Sequence, residues 1–238
     1  MKSAKNVSPT AEPQPKEPAM DKLARFLTRH RVPILVVVAS IVVGVVALIA
    51  VLSIQNAREE AALIAVEDLQ IELDEWLRLS DDDRAERYPA LAGAASAIVD
   101  GYPRTYAAVR ARIIDAQALA DLERWAEAAT RYAEVAEQRP RSYLAPVSLM
   151  DAAVAAENAG DTDRALELLG RIVERYGGES SMVPRALFSI GRIHEQRDEI
   201  ADAAAAYRRL ISGYPAGSWT NLARNRIISL TVEGRIGG

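Results

Sequence analysis

The residues of this chain whose types invite a chemical reading are two histidines, His30 and His194, a run of three aspartates, Asp81-Asp82-Asp83, and a glycine pair, Gly177-Gly178. A histidine can serve as a base or a metal ligand near neutral pH. His30 lies in a basic stretch, however, and His194 falls in an apolar-periodic one, where a ring packs into a core with one nitrogen hydrogen-bonded. Adjacent aspartates could hold a cation, but a calcium loop spreads its oxygen ligands over about twelve residues around a central glycine. Ser80, three residues before Asp83, fits a helix N-terminal cap instead, and Gly177-Gly178 fits a helix terminator. No phosphate loop, dinucleotide fingerprint or nucleophile elbow occurs. With no cysteine in the chain, disulfides, thiolate nucleophiles, cysteine zinc cages and a lipid-modified cysteine are excluded, and the redox state of the compartment stays open. No acid, base and nucleophile converge, so the chain is expected to be no enzyme and to need no metal or cofactor.

What must position any functional side chain is helical. Half of the 238 residues are hydrophobic, alanine is abundant, and only two Phe, three Trp and eight Tyr occur, which suits close helix packing better than sheets. An all-α fold is therefore expected. The net charge of −4 is unevenly spread, since residues 1–31 carry seven Lys or Arg against three Asp or Glu. The remainder is thus strongly acidic, which argues against nucleic acid as a partner.

Between Val32 and Ile54 no residue is charged, and the run is as long as a helix needs to cross roughly 30 Å of hydrocarbon. The 31-residue leader and the length of the apolar run fit a retained anchor better than a cleaved signal peptide. Lys22, Arg25, Arg29 and Arg31 crowd its amino-terminal edge, while Arg58 at the other edge is followed by Glu59 and Glu60. The positive-inside bias then places the amino terminus in the cytoplasm and the rest outside it. Residues 1–19, rich in Pro, Ser and Lys, are expected to be a disordered cytoplasmic leader. Residues 20–31 form a basic amphipathic juxtamembrane segment in which Leu23, Phe26 and Leu27 share one helix side. Ser40 and Gly44 make a small-xxx-small pair that could bring two spanning helices together in a homo-oligomer.

After residue 80 the chain repeats. Four related junctions, 99–106, 136–143, 173–180 and 211–218, place Pro103, Pro140, Gly177 and Pro215 at steps of 37, 37 and 38 residues. Each junction ends one apolar-periodic stretch and begins another. Within each period, Ala128, Tyr132 and Val135, then Ala165, Leu169 and Ile172, then Ala203, Tyr207 and Leu210 keep one helical spacing. Asp121, Gly160 and Arg197-Asp198 fall near the turns between paired helices. Such a pair buries its apolar face only by stacking on its neighbours.

These residues resemble the tetratricopeptide repeat. Ala186, Leu187, Ile190, Gly191, Ala203, Tyr207 and Pro215 look like its small-large-Leu-Gly start, its Ala and aromatic positions and its closing Pro. The second unit matches at Leu149, Gly160, Ala165 and Ile172 but has Ala153 for Gly and Gly177 for Pro. The first offers Trp125, Ala128, Tyr132 and Pro140, with Arg112 where the motif carries a large apolar residue. The expected layout is a spanning helix at 32–54, a long helix and degenerate first repeat at 55–103, three repeats at 104–217, and a capping helix and tail at 218–238. That order of segments resembles the ancillary subunit family of the bacterial Sec translocon. The resemblance implies an inner-membrane protein whose periplasmic, tetratricopeptide-like domain is chaperone-like and acts on emerging chains. Similar repeats occur in periplasmic proteins of envelope assembly, which usually carry a lipobox or coiled coil that this chain lacks.

In tetratricopeptide arrays the first helix of each pair lines a concave groove. Mapped here, the groove positions are Arg110, Ile113 and Gln117, then Val147, Met150, Val154 and Glu157, then Arg185, Phe188, Arg192 and Glu195. Met150, Val154 and Phe188 would form an adaptable apolar strip, and Arg185 and Arg192 could hold carbonyls or carboxylates. The same apolar residues could instead pack on the next helix, and the spacing leaves both readings standing. The implied partners are other proteins or unfolded polypeptide segments. The alternative is an oligomeric structural scaffold of the cell envelope.

Overall fold

The computed structural model describes residues 20, 27–178 and 180–237, and among these every regular element is a helix. The leader 1–19 and Lys22, Leu23, Arg25 and Phe26 of the juxtamembrane segment lie outside the described residues. In order, the helices are α1 (Arg31–Trp76), α2 (Asp81–Gly101), α3 (Tyr106–Asp121), α4 (Trp125–Gln138), α5 (Leu144–Asn158), α6 (Thr162–Arg175), α7 (Met182–Gln196), α8 (Ile200–Gly213) and α9 (Ser218–Val232). The chain divides into two compact units, Met1–Asn56 and Ala57–Gly238.

In the first unit, α1 is long and apolar enough to cross a membrane. Its large side chains, among them Leu35, Val43, Ile49 and Ile54, are exposed, a surface that water does not favour. Ser40 Oγ donates to Val36 O at 2.9 Å, so the hydroxyl needs no water. The spanning helix expected at 32–54 and the long helix expected after residue 55 belong to the one α1, which runs to Trp76. Nothing in Gln55-Asn56-Ala57-Arg58 stops a helix.

In the second unit, α3/α4, α5/α6 and α7/α8 are antiparallel pairs. First helices begin at Tyr106, Leu144 and Met182 and second helices at Trp125, Thr162 and Ile200, reproducing the step legible in the sequence. From α2 onward helices touch their neighbours in sequence, and α5–α7 and α7–α9 also touch laterally. This is a tetratricopeptide-like α-solenoid. α2 takes the place of a second helix ahead of the first pair, and α9 caps the last pair.

The first helix of each pair ends in the same way. Glu123, Gly160 and Asp198 adopt left-handed φ values of 56°, 79° and 62°. The next residue's amide then reaches back five positions, Arg124 to Leu119 O, Asp161 to Ala156 O and Glu199 to His194 O, each at 2.9 Å. This closes the first helix with a Schellman-type turn. At the junctions, the amides of Tyr102, Arg139, Tyr176 and Tyr214 bond the carbonyls of Ile98, Val135, Ile172 and Leu210. Gly177 departs from the Pro of the other junctions for a visible reason, because a Cβ there would meet Val173 O at 2.8 Å. The next helices open on hydroxyls: Thr105 Oγ1 accepts from Ala108 N, Ser142 Oγ from Leu144 N and Ser180 Oγ from Met182 N. Ser80 caps α2 as expected, accepting from Asp83 N.

The core follows the spacing. Ala128, Ala165 and Ala203 are fully buried where paired helices cross, and Tyr132, Leu169, Tyr207, Val135, Ile172 and Leu210 are buried below them. Arg112, at its odd position, is half-buried with Nε donating to Gln138 at 2.7 Å. Along α1, Ala62, Val66, Leu69, Leu73 and Trp76 form a buried stripe, and Trp76 Nε1 donates to Arg84 O at 3.0 Å.

Candidate functional site

The repeat offset aligns the expected groove residues into rows. Arg110, Val147 and Arg185 form one row, Ile113, Met150 and Phe188 a second, Gln117, Val154 and Arg192 a third, and Glu157 and Glu195 part of a fourth. The second row is not an open apolar strip. Met150 is only 2 % exposed and belongs to the core, and Ile113 and Phe188 are partly buried against it. This row turns inward, and the Phe188 ring centroid lies 5.6 Å from that of Tyr207 and 5.5 Å from that of Trp219. Val154 and Gln117 in the third row are exposed, while Val147 and Arg185 are intermediate.

The charged members are engaged with neighbouring repeats. Arg110 Nη2 donates to Gln70 at 2.8 Å. Arg192 pairs with Glu157 at 2.5 Å and donates to Gln196 at 3.2 Å. Arg226 of α9 pairs with Glu195, which also accepts from Tyr207 Oη at 3.0 Å. Burial pushes the Glu195 carboxyl up, but the Arg226 and Tyr207 hydrogen bonds outweigh it and hold it below its ordinary value. Asp151 runs the other way, since burial raises its pKa and Arg185 only partly opposes this. These contacts link successive first helices laterally. Phe188, Arg192, Glu195, Gln196, Tyr207 and Arg226 line an open pocket of about 330 Å³ at the end of this series.

Two tyrosines outside the expected groove positions belong to the same face. Tyr106 and Tyr143 stand 37 residues apart at the start of α3 and α5, 47 % and 72 % exposed. The nearby Tyr106 side chain raises the Tyr143 pKa. Stepping the row of Arg110 and Val147 back one helical turn would have found them. The open part of the face is therefore Tyr106, Tyr143 and Val154, with Val147 half-buried beside them and Arg110 and Arg185 flanking.

His194 is half-buried, with one ring nitrogen hydrogen-bonded as expected. It sits at the end of α7 with Nδ1 2.6 Å from the Glu199 carboxylate. His194, Glu199 and Asp202 place possible donor atoms within 4.8 Å of one another. Glu199 and Asp202 belong to the start of α8, where carboxylates favour the helix dipole. A second polar cluster is structural. Asp115, 8 % exposed, accepts from Tyr88 Oη at 2.8 Å and Arg131 Nε at 3.0 Å.

A family model described as tetratricopeptide repeat matches residues 150–218, the stretch that contains most of α5 and all of α6, α7 and α8. The repeats are tetratricopeptide-like. A TPR repeat-containing protein of Treponema pallidum (strain Nichols) is 36 % identical over 110 residues, which cover 46 % of this chain and 45 % of that relative. The chain thus spans under half the length of the relative it matches. Tetratricopeptide repeats form protein–protein interaction modules, and a repeat array of this kind offers extended helical faces to a partner.

Proposed function

We propose that the protein is a membrane-anchored, extracytoplasmic interaction module that receives polypeptide segments on its first-helix face. On this reading it is a chaperone-like accessory to protein translocation or envelope assembly, resembling the ancillary Sec translocon subunits. The observation that carries it is the set of exposed first-helix side chains, Tyr106, Tyr143 and Val154, with the half-buried Val147 between them. Aromatic and apolar side chains on a rigid scaffold contact varied chains at a low entropy cost. The lateral ion pairs hold that scaffold in register. Expected groove members that turn inward, Met150 above all, serve it as packing.

The anchor would be the apolar part of α1, with the amino terminus in the cytoplasm and the solenoid in the periplasm or its equivalent. A reporter fused after Gly238 that is active only outside the cytoplasm supports that orientation, and one active only inside removes it. The binding reading is tested in cells by placing a photo-cross-linking amino acid at Val154 or Tyr143, with Glu167 on α6 as the comparison site. Cross-links to secreted or envelope chains from the first two positions and few from the third are expected. Equal, sparse labelling at all three would remove the face from consideration. Products containing only a second copy of this chain would favour the envelope scaffold.

A further inference from the structure

We propose that the turn between α7 and α8 binds a divalent transition-metal ion of the zinc type, held by His194, Glu199 and Asp202. The inference stands apart from the polypeptide-binding face, and a result against either leaves the other in place.

His194 belongs to the last turn of α7, Glu199 is the residue that opens α8, and Asp202 lies one turn further on. One atom of each able to bind a metal, a ring nitrogen and two carboxylate oxygens, lies within 4.8 Å of the others. Zinc bonds nitrogen and oxygen at roughly 2.0–2.2 Å, which at tetrahedral angles sets ligand atoms about 3.4 Å apart. Closing the three side chains onto one ion therefore asks for shifts of no more than about 1.5 Å. Glu199 and Asp202 are exposed carboxylates that can make them. The imidazole is the fixed member, with its side chain only 21 % exposed.

The helix dipole favours an acidic residue here, but capping does not occupy these carboxylates. The Glu199 side chain accepts no cap hydrogen bond, and its amide is bonded to His194 O, so Asp202 closes no capping box. Asp202 has no hydrogen bond or ion pair among the described residues. The two arginines near the turn face other carboxylates, Arg197 pairing with Asp163 and Arg235 with Asp198. The hydrogen bond between His194 and Glu199 thus leaves a second carboxylate beside it uncompensated.

The other two turns of this kind are built differently. Glu123, Gly160 and Asp198 align the three, so His194, Glu199 and Asp202 correspond to Leu119, Arg124 and Glu127, and to Ala156, Asp161 and Arg164. Each of those turns has an arginine at these positions and no histidine. Arg124 pairs with Glu127 at 2.6 Å, and Asp161 accepts from the Arg164 amide at 3.0 Å. In the third turn an imidazole stands in the apolar place and a carboxylate in the arginine's, so a cation is what completes it. One imidazole and two carboxylates suit zinc or a neighbouring transition metal, whereas Mg²⁺ and Ca²⁺ take six or more oxygens. Three protein ligands leave the fourth position to water. Bound there, the ion ties the end of α7 to the start of α8 and stabilises the last helix pair, because only the folded turn assembles its ligands.

The test uses the untagged full chain in detergent, stripped with a chelator and titrated with zinc chloride in competition with a chromogenic zinc indicator. One zinc per chain should bind and raise the melting temperature, and magnesium chloride at the same concentration should do neither. His194→Gln and Asp202→Asn should each weaken zinc binding at least about tenfold. Asp202→Asn, at an exposed position, should leave the helical circular dichroism unchanged, and it decides alone if His194→Gln fails to fold. His30→Gln should bind zinc as the parent does. An indicator that keeps all the zinc, or binding that Asp202→Asn leaves unchanged, would overturn the site. So would binding lost on His30→Gln, and magnesium that competes equally with zinc would overturn the metal class.

Discussion

Gly191 of α7 lies against the ring of Tyr207 of α8, so close that a Cβ on Gly191 would stand 2.4 Å from Tyr207 Cε1. Tyr207 is 1 % exposed and its hydroxyl is held by Glu195, so turning the ring aside would break a hydrogen bond at the core's edge. Gly191→Ala should therefore destabilise the domain by about 1–3 kcal/mol, as over-packing does in a filled core. Gly170 on α6 is the opposite case, with nothing within 4 Å of a Cβ. Gly170→Ala should leave stability equal or raise it by about 0.5–1 kcal/mol. Urea unfolding of both variants checks the pair, and a tolerated alanine at 191 would contradict the close approach.

Asp115 gives a second measurement. It is nearly buried and holds the Tyr88 hydroxyl and the Arg131 guanidinium, and Arg124 lies 4.8 Å over the Tyr88 ring. Asp115→Ala strands the buried phenol, while Arg131, 47 % exposed, can turn to water. A loss of about 2–3 kcal/mol is expected, or a melting temperature lower by about 5–10 °C. Asp115→Asn, which keeps an acceptor for Tyr88, should lose clearly less. Equal melting of the two variants would show that the carboxylate's shape is irrelevant.

The first-helix face carries two carboxylates with opposite pH signatures. Glu195 has a folded pKa below its ordinary 4.5, so its contribution is present above that value and is lost as pH falls through the folded pKa. Asp151 has a folded pKa raised above 3.8 by burial, so its contribution is present below 3.8 and is lost as pH rises through the folded pKa. At pH 7, Glu195→Gln should destabilise by up to about 1 kcal/mol, a modest figure because Arg226 is partly exposed. Asp151→Asn should stabilise slightly. Both differences from the parent should shrink as melts are taken from pH 7 toward pH 3, and differences that do not change with pH would rule out this origin.

Binding and folding should separate on the exposed face. Val154 is 40 % exposed and Tyr143 72 %, so Val154→Asp and Tyr143→Ala should shift unfolding by under about 0.5 kcal/mol. Each should nevertheless lower cellular cross-linking to partner chains severalfold. Met150→Asp, at a buried site, should instead unfold the second pair. Its loss of binding would report misfolding, and circular dichroism distinguishes the two causes.

The sequence by itself determined the helical class, the step of 37 to 38 residues and the apolar length of the segment 32–54. These follow from local rules: period-3.6 burial, proline and glycine punctuation and the absence of charge. Asp121, Gly160 and Arg197-Asp198 marked the turns in the sequence, and the structure shows Glu123 and Asp198 adopting the same left-handed conformation as Gly160 without being glycine. Only the tertiary structure decided which row of the first helices faces outward. One residue of helical phase rotates a side chain by about 100°, and the sequence could not separate Met150, inside, from Val154, outside. Partnerships also came from the fold alone. Arg192 with Glu157 and Arg226 with Glu195 are 35 and 31 residues apart, and only stacked repeats bring such charges together.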